Sequence, residues 1–167
     1  MCIRDSSKTT GVINAGTVTT LTGTAADVVT AYAANTAGTI SGLGNEAVTL
    51  SGAATAADLL SIIAATSGAL NVSGLTGMTG TTTEFLSMYN SGEFGPTQWT
   101  QFTNNSITLT DTTIAANVAQ AAVEIVRGTG VVDATSVTTV LGTNAYFLNY
   151  LYSATDVTGL GNEAITL

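Results

Sequence analysis

The chain has few of the residues on which most enzymes and nucleic-acid binders depend. Its 167 residues include no histidine, one cysteine and three lysine or arginine residues. A serine, threonine or cysteine nucleophile needs a basic partner, and a nucleic-acid surface needs cations that replace counterions. We therefore expect neither an enzyme nor a nucleic-acid-binding protein. The same shortage of cations disfavours attachment to an anionic membrane surface.

Charge is scarce, and most of it is negative. Charged residues make up 8% of the chain, and 11 acidic residues against three basic ones give a net charge of -8. Apolar residues reach 45%, too many for a disordered chain. No apolar run approaches the about 18 residues that a membrane-spanning helix needs, so we expect no membrane insertion. An acidic chain with almost no cysteine or lysine is typical of extracellular bacterial proteins without disulfides, which predicts an extracellular or cell-surface location.

The first residues of the chain match nothing further along it. Met1–Ser6 resembles the adapter read-through found at the start of open reading frames in metagenome assemblies, and a disordered native terminus is the alternative. The segment is too short and too polar for a signal peptide. We therefore assign residues 1–8 to a disordered or artefactual N-terminus and residues 9–167 to a single domain.

Two stretches of sequence recur along this domain at nearly the same spacing. The copies of the first are Gly42–Leu50, Phe102–Leu109 and Gly159–Leu167, and those of the second are Gly11–Thr24, Gly68–Thr81 and Gly130–Thr143. A period of about 58–60 residues predicts a repeat architecture. We divide the domain into a partial repeat, 9–50, and two complete repeats, 51–109 and 110–167.

Each repeat is predicted to contain two units in which a short strand precedes a short helix. Apolar and polar residues alternate in the strands, as in Val48-Thr49-Leu50, so one face of the sheet must be covered and the other can face water. Short strands alternating with helical patterns indicate parallel βα units. We therefore predict an α/β repeat solenoid, horseshoe-like, with about six short parallel strands and five short helices that cover one face of a single sheet.

Helix starts are marked by a recurring cap sequence. The pattern Thr-x-x-acid begins at Thr24, Thr55 and Thr81, and it predicts a threonine cap with an acidic residue in the first helical turn. We expect Asp111 to cap a fourth helix over Thr113–Val126.

Three phrases in the domain resemble a known kind of protein. Residues 14–27, 42–50 and 107–116 are similar to repeat arrays in giant secreted adhesin-like and hemolysin-type (RTX-associated) surface proteins of marine bacteria. The resemblance covers residues 9–167. It implies a non-catalytic structural segment of a stalk, surface layer or adhesin, whose partners are neighbouring repeats of the same chain or like chains. The chain lacks the Gly-Gly-x-Gly-x-Asp nonapeptides of calcium-binding RTX segments, so calcium rolls are not implied.

Aligned polar residues are the candidates for a metal site. Asn14, Asn71 and Asp133 occupy the same repeat position, and oxygen ligands of this kind could hold calcium. The alternative is a column of side chains that satisfies the backbone of neighbouring turns. We expect no other cofactor. Glu46 and Glu163 also share a repeat position, and we expect a structural role for them, about two strands apart rather than in one cleft.

A sugar- or ice-binding module is the alternative function. Trp99 and Phe94 lie in the loop 91–101, which holds the only tryptophan and the only proline, and exposed loop aromatics can recognise glycans. The alternative is that they fill the flank of the solenoid. A second possible surface is the Thr/Asn-rich face of the sheet, although threonine is also an ordinary exposed strand residue. The candidate hydroxyls there are Thr17, Thr19, Thr20, Thr22, Thr135, Thr138 and Thr139.

Overall fold

The computed structural model describes residues 11–91, 106–125, 130–142 and 145–166. These residues form an α/β fold of eleven strands and five helices. The strands are β1 (Ile13–Asn14), β2 (Thr20–Gly23), β3 (Ile40–Ser41), β4 (Ala47–Thr55), β5 (Leu70–Gly80), β6 (Ser106–Leu109), β7 (Thr113–Ala115), β8 (Val132–Asp133), β9 (Thr139–Leu141), β10 (Val157–Thr158) and β11 (Ala164–Thr166). The helices are α1 (Ala25–Thr36), α2 (Ala56–Ala65), α3 (Thr82–Asn90), α4 (Ala116–Ile125) and α5 (Ala145–Ser153).

The strands form parallel sheets whose order follows the chain. Strands β2, β4, β5, β6, β8 and β10 lie side by side in that order, β7, β9 and β11 form a second sheet, and β1 pairs with β3. Parallel neighbours need crossover connections, and each of the five connections within the larger sheet contains one helix. The predicted α/β class with parallel strands and five helices is confirmed within the described residues. The strands are more numerous than predicted, because β2, β3, β9 and β10 form in stretches not predicted as strands and β7 forms within the segment predicted to be helical.

One apolar core joins the strands to the helices. It includes Leu21, Val48, Met78, Ile107 and Val132 from the larger sheet and Val28, Leu59, Phe85, Ala119 and Leu151 from the five helices. Consecutive helices also pack against one another. The alternation in the sequence decides which strand residues enter this core, since Val48 and Leu50 are buried while Thr49 between them is half-buried.

The threonine caps form as their sequence pattern predicts. The hydroxyl oxygens of Thr24 and Thr55 accept hydrogen bonds from the amides of Asp27 (3.2 Å) and Asp58 (3.0 Å). At α3 the box is complete, because Thr81 accepts from the Glu84 amide and the Glu84 carboxylate accepts from the Thr81 amide at 2.7 Å. Each such cap stabilises its helix by about 1 kcal/mol.

The prediction for Asp111 is wrong. Helix α4 begins at Ala116, because Thr113–Ala115, with β-branched Thr113 and Ile114, is held extended as β7 by pairing with β9. The Asp111 carboxylate instead accepts a 2.6 Å hydrogen bond from the amide of Thr82, the first residue of α3. Asp111 therefore caps a neighbouring helix across the fold, where its negative charge complements the positive helix end.

Strands β4 and β5 are the longest and are paired irregularly. Their register shifts between Thr49 and Ser51 and again between Gly52 and Ala53. The first half of β4 also pairs with β2, and the last part of β5 pairs with β6. The larger sheet is therefore stepped, and residues at equivalent repeat positions on its two sides do not lie at the same level.

Candidate functional site

The two near-identical copies of the Gly-Leu-Gly-Asn-Glu stretch fold in the same way. We call residues 40–50 the early copy and residues 157–166 the late copy. In the early copy, β3 pairs with β1 (Ile40 with Ile13) and β4 pairs with β2 (Val48 with Leu21). In the late copy, β10 pairs with β8 and β11 pairs with β9 in the corresponding alignment. The repeated sequence thus specifies a repeated set of strand pairings.

A glycine fixes the turn at the start of each copy. Gly42 and Gly159 have positive φ angles of 88° and 86°. A Cβ atom on Gly42 would lie 2.7 Å from the backbone of Gly16, and one on Gly159 would lie 2.5 Å from the amide nitrogen of Thr135. Both positions require glycine because of the φ angle and because of the close approach of a neighbouring chain segment.

Glu46 lies at the centre of the early copy and is buried, with 1% of its surface exposed. One carboxylate oxygen accepts the hydroxyl hydrogen of Tyr32 from helix α1. The other accepts the amides of Gly44 (2.8 Å) and Asn45 (3.2 Å). This side chain thereby ties its own turn to the preceding helix, and we call the arrangement the tyrosine–glutamate clasp.

The hydrogen bonds of the clasp shift the pKa of both partners. Burial acts to raise the pKa of Glu46, but the hydrogen bonds from Tyr32 and the Gly44 and Asn45 amides outweigh it and hold the pKa below its usual value. Burial and the bond to Glu46 raise the pKa of Tyr32 well above that of an ordinary tyrosine. The pair is therefore a neutral hydroxyl donating to an ionised carboxylate, which is an arrangement for structure rather than for proton exchange near neutral pH.

The late copy contains the same clasp. The carboxylate of Glu163 accepts from the Tyr152 hydroxyl (3.0 Å) and from the amides of Gly161 (2.8 Å) and Asn162 (3.3 Å). Burial opposes the shift, but the backbone and Tyr152 hydrogen bonds lower the pKa of Glu163. Burial and Glu163 raise the pKa of Tyr152. The same kinds of partner, a tyrosine hydroxyl and two turn amides, thus recur in the early and late copies.

The sequence singles out the two glutamates but not their tyrosines. Tyr32 precedes Glu46 by 14 residues, whereas Tyr152 precedes Glu163 by 11, so the pairs do not align at one spacing. The available signal was a tyrosine in the helix before each copy. The predicted separation of about two strands within one sheet is not what the structure shows. The two glutamates precede β4 and β11, which lie in different sheets.

The three candidate metal ligands each make a local turn. Asn14 accepts from the amide of Gly16 (2.9 Å), Asn71 from that of Ser73 (3.0 Å) and Asp133 from that of Thr135 (3.0 Å). Each side chain thus satisfies a backbone amide two residues ahead of it, as asparagine and aspartate commonly do in turns. The alternative that they satisfy neighbouring turns is wrong, because the bonds stay within their own segment.

The structure does not bring these three residues together. Asn14 lies in the β1–β3 pair, outside the larger sheet. Asn71 lies level with Thr49, whereas Asp133 lies level with Thr108 and hence with Thr79. Asn71 and Thr79 stand at opposite ends of β5, about 26 Å apart at 3.3 Å per residue. Within the described ranges there is also no cluster of three histidine, cysteine, aspartate or glutamate residues fit to hold a metal ion.

The predicted aromatic ligand site falls outside the described residues. Trp99 and Phe94 lie in the segment 92–105, so the prediction for them stays open. The predicted threonine array is divided, because Thr20 and Thr22 lie on β2 and Thr139 lies on β9 of another sheet.

A different polar row crosses the larger sheet. Its members, level with one another on five adjacent strands, are Thr55, Thr79, Thr108, Asp133 and Thr158. Adjacent strands of a sheet lie about 4.8 Å apart, so the row presents side-chain oxygens at a regular spacing. The row could not be predicted from the sequence, because it depends on the stepped pairing of β4 with β5. That pairing places Thr79, rather than Asn71, level with Thr108 and Asp133.

Known proteins give no further identification. The chain matches no family model, and neither the curated proteins nor the solved structures include a significant match. Among the residues that the structure describes, no helix is both long and apolar enough to cross a bilayer.

Proposed function

We propose that this chain is a non-catalytic structural segment of a large extracellular repeat protein, a stalk, surface layer or adhesin, built as an α/β solenoid. One observation carries the proposal: the early and late copies repeat the same strand pairings and the same tyrosine–glutamate clasp. Units that stack on their nearest neighbours through parallel strands can extend an array in one direction without a ligand site.

The polar surfaces support the same role. Several acidic residues cap helices or close turns, as Glu84, Asp111 and Glu163 do, and Glu124 of α4 accepts the hydroxyl of Tyr150 from α5. The low content of cationic residues and the scarcity of cysteine favour an exported protein that folds without disulfides.

The test is to lengthen the array and measure its shape. Leu167 corresponds to Leu50 in the repeat, so residues 51–167 can be appended after Leu167 one or more times. Four strand steps separate β4 from β10, and each addition should lengthen the particle by about 19 Å at 4.8 Å per step. Small-angle scattering should show equal increments. Particles that grow compactly instead of in equal steps would contradict the structural role.

A carbohydrate- or ice-binding module is the second candidate, favoured by the polar row across five strands. It would use the Thr/Asn-rich face of the sheet, along this row of threonines and Asp133, or the loop with Trp99 and Phe94. If the chain is a spacer, it should bind no glycan on an array and should not inhibit ice recrystallisation. If either responds, Thr79→Val with Thr108→Val should abolish the response of the row, while Thr30→Val on the exposed side of α1 should leave it unchanged.

A further inference from the structure

Side chains of the late copy and its clasp are more exposed to solvent than their counterparts in the early copy. The tyrosines of the two clasps are 7% (Tyr32) and 40% (Tyr152) exposed, and the aligned strand residues Val48 and Ile165 are 0% and 52% exposed. Glu46 is buried and Glu163 is only half-buried. The local hydrogen bonds are the same in both copies, so the difference comes from what packs on top.

Residues 56–72 cover the early copy. The Thr66 hydroxyl donates to the carbonyl of Glu46 (3.0 Å), and the Ser67 amide donates to the carbonyl of Gly44 (2.9 Å). The amide of Val48 donates to the carbonyl of Ala69 (2.8 Å) at the start of β5. Helix α2, the first part of this segment, packs beside α1. The cover therefore consists of α2 and the start of β5, and residues 51–55, which lead into it, continue β4.

An open groove of about 390 Å³ lies at the late copy. It is lined by Gly159, Leu160, Gly161, Asn162 and Glu163 with Thr135, Val137 and Thr138. Gly161 and Glu163 correspond to Gly44 and Glu46, the residues whose carbonyls the cover bonds in the early copy. The groove thus presents at the late copy the acceptors that the cover uses at the early one.

We propose that the exposed edge of β11 accepts a further strand–helix–strand unit of the type formed by residues 51–72. The early copy sets the register, in which Ile165 pairs with Leu70 of the added unit and Thr166 pairs with its Asn71. The Ile165 amide then donates to the carbonyl of the added Ala69. This inference rests on the proposed function, because stacked units are what a structural array requires.

Gly68 makes the docking selective. A Cβ atom at that position would lie 2.1 Å from the carbonyl oxygen of Glu46, which a side chain cannot relieve by rotating. The same clash would arise against Glu163 in the proposed stack. A unit with valine in place of this glycine should therefore fail to pack against β11, and it provides a matched control.

The test extends the full chain at its C-terminus with a second copy of residues 51–91. The control carries Gly68→Val in the added copy only. Amide hydrogen exchange at Ile165 should slow by at least about 100-fold in the native extension, because an edge amide becomes a bonded one inside the sheet. In the control it should stay within about threefold of the unextended chain.

A disulfide provides a second measurement that does not depend on exchange rates. With Cys2→Ser as background, Thr166→Cys should form a disulfide with Asn71→Cys of the added unit, since neighbouring Cα atoms in register lie within bonding range. Ala164→Cys, two residues out of register, should not.

Several results would overturn the proposal. One is an Ile165 amide that stays unprotected in the native extension, and another is equal protection in the Gly68→Val control. Protection that rises with concentration in the unextended chain would show that a second copy of the chain is the occupant instead. If an array lengthens in equal steps while the Ile165 amide remains unprotected, the proposed pairing of β11 is wrong. The proposed structural function is then still supported.

Discussion

The two clasps offer a matched pair of substitutions, Glu46→Gln and Glu163→Gln. Both carboxylates accept a tyrosine hydroxyl and two backbone amides, but Glu46 is buried and Glu163 is half-buried. The groups around Glu46 are all donors. A glutamine there can accept through one oxygen only, and its amide nitrogen must face another donor.

The expected loss of stability in Glu46→Gln follows from this mismatch between two hydrogen-bond donors. A hydrogen bond to a charged group contributes about 1.5–3 kcal/mol, and a buried polar group left without a partner costs about 1–3 kcal/mol. Glu46→Gln should therefore lower the free energy of unfolding by about 2–3 kcal/mol. Water can replace the lost bonds at Glu163, so Glu163→Gln should cost less than about 1 kcal/mol. For a chain of this length the first substitution corresponds to a Tm lower by roughly 4–12 °C.

The pH dependence supplies an independent check. Because the pKa of Glu46 is lowered in the folded state, its contribution is present above the unfolded pKa of about 4.3 and is lost as pH falls through the folded value. Glu46→Gln should flatten the loss of stability in that acid range. Urea unfolding followed by circular dichroism measures both effects. Equal destabilisation by the two substitutions, or an unchanged acid profile, would refute the argument that burial gives the early clasp its strength.

Other contacts can be tested by single substitutions and by calcium. Gly68→Ala should destabilise the protein by about 3 kcal/mol or more, whereas Gly77→Ala, whose Cβ would meet its nearest atom at 3.5 Å, should change stability by less than about 1 kcal/mol. Asp111→Ala should cost about 1 kcal/mol and speed hydrogen exchange at the Thr82 amide, and unchanged exchange there would argue against the cap. Millimolar calcium should leave the Tm unchanged because the three candidate ligands lie apart, and an increase would show that they meet after all.

Local sequence predicted the parts of the fold that local physics decides. The alternation around Val48 and Leu50 identified buried strand positions, and the Thr-x-x-acid pattern identified the starts of α1, α2 and α3. The recurrence of the Gly-Leu-Gly-Asn-Glu stretch predicted equivalent structures, and both copies have them. In each case the deciding contacts lie within a few residues or repeat between copies.

Contacts between distant segments were not predictable in the same way. Asp111 has the residue type of a helix cap, but it caps α3, 29 residues before it, because Thr113–Ala115 pairs as a strand. The stepped register of β4 and β5 separates Asn71 from Asp133 and creates the polar row through Thr79. Both outcomes depend on which strands become neighbours, and the sequence of a single segment does not specify this.

The clasp shows how the same local sequence can acquire different stability. Its hydrogen bonds are encoded locally and form in both copies, so sequence repetition is enough to reproduce the geometry. Burial is not encoded in the copy itself, because it depends on whether another unit packs on top, as residues 66–69 do over Glu46. The contribution of each clasp to the free energy of unfolding should therefore depend on whether another unit covers it. If covering the late copy raises the cost of Glu163→Gln towards that of Glu46→Gln, stacking rather than the clasp sequence decides the stability of each repeat.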